Sequence, residues 1–182
     1  MEIGRSLHFK DRERWRAWLE TNHDRASEIW LITFKKHTGK PTLSYNDAVE
    51  EALCFGWIDS IVKRVDEDRT AQRYTPRRSK SNLSETNKQR IRKLIAEGKM
   101  TEAGLAKVEH LLNDPFQVPH DIIKELRKDP QVWKNFQSFP DSYKRIRVSW
   151  IEGARNRPEV FETRLKHFVK MTAANKKYGM VQ

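Results

Sequence analysis

The segment EIWLITFKK, residues 28–36, constrains the fold more than any other stretch of the chain. It is rich in Ile, Trp, Thr and Phe, and Gly39 and Pro41 stop it, so it reads as a buried strand. A buried strand needs neighbours along its edges and apolar cover on its face. The flanking sequence supplies both. Upstream, Trp15, Trp18 and Leu19 recur at i, i+3, i+4 in a helix over 11–21, with Asp11 as N-cap. Downstream, Ser44 and Asp47 form a capping box in which Asp replaces the usual Glu, and Ala48, Val49, Ala52 and Leu53 line one helical face. Gly56 stands where a left-handed residue ends that helix. Trp57–Val65 then reads as a second strand, the Asp66–Arg69 cluster as a turn, and Thr70–Thr75 as an antiparallel return stopped by Pro76.

Beyond Pro76 the pattern is helical. Ser84 caps a helix ending before Gly98, with Ile91, Leu94 and Ile95 inward, and Thr101 caps the next. Asn113–Pro119 reads as a linker. A short helix carrying Ile122, Ile123 and Leu126 follows. Asp129–Pro130 opens a helix with Trp133 and Phe136, and Pro140 and Pro158 open the last two. The expected class is α+β: a small antiparallel sheet of about three strands in residues 28–76 with helices packed on it, then a C-terminal helical unit.

Charge is unevenly distributed. The net charge is +11, yet residues 1–66 hold 11 basic and 11 acidic side chains. Residues 69–93 carry nine basic residues against Glu85 alone, and residues 144–177 carry ten against three acids. Such segments suit an anionic small molecule or a polyanion, nucleic acid included, and equally a solvated cationic face. No apolar run approaches the roughly 18 residues of a membrane span. The first residues, MEIGRSLHFKDRERW, contain no apolar stretch. The expectation is therefore a soluble, cytoplasmic protein.

Few residues carry recognisable chemistry. The single cysteine, Cys54, falls at a helix C-terminus, where the dipole disfavours a thiolate, and reads as a core thiol. The six histidines show no ligand spacing, so no metal is expected. The seven glycines form no phosphate-cradling or dinucleotide motif, and no cofactor is expected. Asp59, close to Trp57 on the second strand, has two readings: an acid or base of raised pKa, or a salt-bridge partner for a residue such as Arg73. The segment from Arg73 to Ser84 leads from a strand into a helix start. There Arg77, Arg78 and the free N–H groups favour an anion, and Asn87 at N3 could face the same spot.

ALCFGWID (52–59) and TPRRSKSNLSETN (75–87) resemble the YdeI/OmpD-associated family, whose members are labelled bacteriocin-protection proteins. IAEGKMTEAG and YKRIRVSWIEGARNRPEVFETRLKHF are similar to its later segments, so the resemblance is expected over nearly the whole chain. It implies a YdeI-like α+β region in 1–114 and a helical module in 119–182, packed as one unit. Three departures stand out: Ser60 where the family has Gly, Leu83 where it has Trp, and a C-terminal Pro-Glu-Thr-Arg interrupted by Val160 and Phe161. The family supplies no agreed catalytic residues. The leading expectation is a stress- or resistance-associated binding protein with Trp57, Asp59, Arg77, Arg78, Ser84 and Asn87 around an anionic ligand. The alternatives are nucleic-acid binding through 69–93 and 144–177, or an enzyme using Asp59.

Overall fold

In a computed structural model, residues 2–78, 82–113 and 115–179 are described. Ser79, Lys80 and Ser81 of the basic loop and Asp114 of the linker lie outside them. The chain forms two units. One comprises residues 1–83 with 90–113, and the other residues 84–89 with 114–182.

The N-terminal unit holds the sheet, in order β1-β2-β4-β3. Its strands are β1 (Ser6–His8), β2 (Ile29–Phe34), β3 (Trp57–Arg64) and β4 (Arg69–Pro76). The three strands expected from sequence are present and antiparallel. The fourth, β1, pairs in parallel with β2, Leu7 opposite Leu31, and makes the sheet mixed. Three residues carry too short an alternation to read as a strand. Helix α1 (Arg12–Asn22) connects β1 to β2. Asp66 closes the β3–β4 turn by accepting the N–H groups of Asp68 and Arg69 at 2.9 and 2.7 Å.

One face of the sheet is covered by α1 and α2 (Tyr45–Cys54). Ile29 and Leu31 of β2, Trp57 of β3 and Tyr74 of β4 meet Trp15, Leu19, Ala48, Val49 and Leu53 in a single core. Trp18 stacks on Trp15 and meets Trp57 edge-on, with centroids 5.3 and 5.8 Å apart. Such pairs add about 0.5–1.5 kcal/mol each beyond area burial. Helix α3 (Glu85–Ala96) adds Ile91 and Leu94, and α4 (Glu102–Val108) adds Val108.

Helix ends follow the expected signals. Asp11, Ser44 and Thr101 each accept an N–H three residues on. Asp47 returns to Ser44 in an altered way: its carboxylate accepts the Ser44 hydroxyl at 2.6 Å. Gly56 has φ +71° and turns the chain from α2 into β3.

The end of α2 is also where α4 comes closest. Thr101 donates its hydroxyl to the Cys54 carbonyl at 2.6 Å. A Cβ at Gly104 would lie 2.1 Å from that carbonyl oxygen, so only glycine permits the approach.

The C-terminal unit contains α5 (His120–Leu126), α6 (Pro130–Ser138), α7 (Asp141–Glu152) and α8 (Pro158–Ala173). Ile122, Leu126, Phe136, Phe139, Tyr143, Ile151 and Phe168 form its core. Asn135 donates to the Thr172 carbonyl at 2.9 Å and ties α6 to α8. Among the described residues, no helix is long and apolar enough to cross a membrane.

Gly104→Ala should lower stability by about 2–3 kcal/mol, because backbone must move to admit the methyl. Urea unfolding followed by tryptophan fluorescence checks it. An unchanged midpoint contradicts the close approach.

Candidate functional site

Side chains of β2, β3 and β4 that share the helix-covered face follow from register. Asp59 stands opposite Tyr74, Val62 opposite Gln72, and Leu31 opposite Gln72 on the other side. An irregularity between Asp59 and Val62 interrupts the β3–β4 ladder, and such bulges re-aim side chains. Asp59 and Gln72 are thereby brought together: the Gln72 amide donates to Asp59 Oδ2 at 2.7 Å. Tyr45, the first residue of α2, donates its hydroxyl to the same oxygen at 3.1 Å.

Tyr45 and Gln72 also line a cavity of about 350 Å³ between the sheet and the start of α2. Phe9, Leu31, Leu43 and Ala48 give it an apolar body. Thr33, Thr42, Ser44 and Tyr45 contribute hydroxyls, and among the described residues Lys36 is the single charged one of the lining. Its size and mixed lining are those of small-molecule sites. Thr33 is held by a 2.8 Å hydroxyl contact with Thr70, and Thr42 accepts the Phe34 N–H at 3.4 Å.

Burial pushes the Tyr45 phenol up from its ordinary pKa, and the Asp59 charge adds to this. Tyr74 is raised for the same two reasons in the same order. Both phenols therefore stay protonated near neutral pH, and Tyr45 remains a donor to Asp59.

The six residues singled out from sequence have these places. Trp57 is fully buried, and its indole N–H donates to the His23 carbonyl at 3.1 Å. It is a core side chain and is not among the lining residues of the cavity. Asp59 is held by Tyr45 and Gln72, while the expected partner Arg73 pairs with Glu28 instead. Register explains this exchange: Arg73 stands opposite Trp30, on the face away from Asp59. Arg77 is buried, and its backbone N–H extends the ladder to Gly56 at 2.8 Å. Burial lowers the pKa of its guanidinium. Arg78 is exposed. Ser84 and Asn87 belong to the C-terminal unit, where the Ser84 hydroxyl accepts the Asn87 N–H at 3.3 Å as the cap of α3.

Tyr45, Gln72 and the cavity were not visible in the sequence. Their meeting depends on strand register and on the bulge, which composition does not encode. Cys54 is a buried free thiol whose pKa is pushed up to about 11, first by burial and then by the Glu51 charge. Among the described residues, no three His, Cys, Asp or Glu side chains could share a metal ion.

The whole cavity lies within residues 9–74, inside the stretch from 7 to 107 that matches a family model described as a domain of unknown function, DUF8412. The chain belongs to that family. A second model, described as "Bacteriocin-protection, YdeI or OmpD-Associated", matches residues 115–175. This narrows the expected resemblance. The ALCFGWID, TPRRSKSNLSETN and IAEGKMTEAG segments lie in the DUF8412 region, and only YKRIRVSWIEGARNRPEVFETRLKHF falls in the YdeI/OmpD-associated match. No curated protein and no solved structure matches the chain. The cavity is thus a feature of the DUF8412 region alone.

Replacing Asp59 with Asn removes a negative charge from beside the Tyr45 phenol. The Tyr45 pKa should move down toward its ordinary value while the share due to burial persists. A ¹³Cζ tyrosine NMR titration of both proteins reads this, and an unmoved Tyr45 resonance contradicts the contact.

Proposed function

We propose that the protein is a binding protein whose DUF8412 region takes up a small carboxylic acid with an apolar body. The observation that carries this reading is the 350 Å³ cavity with its single charged lining residue, Lys36. The body would sit against Leu31, Leu43, Ala48 and Phe9, and the acid group would meet Lys36 at the exposed mouth. Asp59 would act at one remove, because its Oδ2 is committed to Tyr45 and Gln72 and so braces the wall. That commitment favours an orienting role over proton transfer. Relative to the sequence-based expectation of a site around Trp57, Asp59, Arg77, Arg78, Ser84 and Asn87, this reading keeps only Asp59, at one remove, and moves the ligand to the cavity beside Lys36.

The description of the second match supports an association with bacteriocin protection or a related stress response. We place this work in the cytoplasm. The basic segment 144–177 is an argument against a nucleic-acid role, since four of its ten cations are engaged within the C-terminal unit. Lys144, Arg155 and Lys166 pair with Asp141, Asp121 and Glu152, and Glu162, while Arg145 lies over Phe116.

A thermal-shift screen tests the reading. Carboxylates, alcohols and amines sharing one aromatic or branched aliphatic body are compared. At a hundred times Kd a ligand stabilises by about 2.7 kcal/mol, a melting shift of about 5–10 °C for a chain this long. Carboxylates should give the largest shift, Lys36→Ala should erase their advantage over alcohols, and Ala48→Phe should abolish binding by filling the cavity. Shifts that are absent, or equal in Ala48→Phe, would refute it.

A further inference from the structure

The C-terminal unit contains a guanidinium with no carboxylate partner among the described residues. Arg147, on α7, is 9% exposed, and its Nε is buried with no hydrogen-bond acceptor among the described residues. Among the described residues, the ion pairs of the unit involve Lys144, Arg155, Lys128 and Lys166 and do not include it. What surrounds Arg147 is aromatic: its guanidinium carbon is 4.8 Å from the Tyr178 ring centroid and 5.8 Å from those of Tyr143 and Trp150. Ring faces offset part of the cost of burying a cation, but they accept no N–H bond in place of an anion. The hydroxyls of Tyr143 and Tyr178 are also buried without an acceptor for their protons. Burial raises the pKa of both phenols, so both remain donors at neutral pH.

A second cation stands on the same platform. Arg164 lies 4.3 Å from the Trp150 centroid and donates to the Trp150 carbonyl. Trp150 is 38% exposed, which leaves a way in from solvent. Gly179, at φ +80°, brings bare backbone against the guanidinium, and a Cβ there would lie 2.6 Å from Nη1. Donors without acceptors, two cations and an open edge are thus gathered in one place.

We propose that Arg147, Tyr143, Tyr178 and Arg164 form a binding site for a single small oxyanion, a carboxylate or a phosphoryl group. The Arg147 fork supplies charge and paired N–H bonds, the phenols supply directional donors, and Arg164 adds long-range attraction at the rim. This site is independent of the cavity in the DUF8412 region and takes its ligand by charge, without an apolar body.

The test is an NMR titration of the whole protein at constant ionic strength, reading the Arg147 ¹⁵Nε–Hε resonance. Inorganic phosphate is added in one arm and acetate in the other. A saturable shift with slowed Hε exchange in either arm supports the site, and the responding arm identifies the oxyanion class. Arg147→Gln should abolish phosphate or acetate binding measured calorimetrically. Should that variant fail to fold, Arg164→Gln and Tyr178→Phe should each weaken binding severalfold. The proposal is overturned by a linear, unsaturable response in both arms, or by wild-type affinity in both rim variants.

Discussion

The buried carboxylate of Glu51 organises the N-terminal unit. It is 2% exposed and receives Arg12 and Arg16, one turn apart on α1. Arg12 reaches further to Asp47 and Glu50 at 3.1 and 3.0 Å, so one guanidinium gathers three acids of α2. Arg16 extends the other way, over the Phe55 ring and toward the Lys99 carbonyl. Removing one member of a buried ion pair leaves a charge unmatched and costs about 3–5 kcal/mol. The pair also fixes geometry. With α2 held against α1, and the Trp15 indole donating to the Ala48 carbonyl at 3.0 Å, both ends of α2 have defined places. Its last turn meets α4 through Gly104 and Thr101, and its first residue brings Tyr45 to Asp59. The cavity is the space left between that first turn and the sheet.

The charge of +11 takes on a different meaning in this arrangement. Much of the C-terminal share is absorbed inside its own unit, on carboxylates and aromatic faces. Arg147 is the exception: it is buried among rings, with no acid beside it among the described residues. In the N-terminal unit the useful charge is local: Lys36 at the mouth of an apolar cavity. The two proposed sites, one in an apolar cavity and one around Arg147, would each take a small anion and need no general affinity for polyanions.

Much of the fold was legible because local signals and tertiary demands agree. The run from Ile29 to Phe34, the caps at Asp11, Ser44, Thr101 and Asp129, and the left-handed glycine at 56 all read correctly from spacing and residue type. Strand β1 was not legible, since its three residues gain their conformation from pairing with β2. The site was less legible than the fold. Trp57 and Asp59 share a face of β3, yet packing divides them: Trp57 goes wholly into the core, and Asp59, just before the bulge, goes to Tyr45 and Gln72. The expected Asp59–Arg73 pair failed because register places Arg73 on the opposite face, beside Glu28. Arg147 carries no signal in sequence beyond its place in a basic segment, because its aromatic surroundings depend on where Tyr178 returns.

The most direct measurement is a methyl NMR titration of the whole protein with phenylacetate, a carboxylate on an aromatic body. Leu31 and Ile32 of β2, Leu43 before α2 and Ala48 within α2 line the cavity and report from its different sides. All four should shift with one common saturation curve, and Lys36→Ala should weaken that curve without moving the set of responding methyls. Four unmoved resonances at concentrations that saturate other parts of the molecule would contradict it.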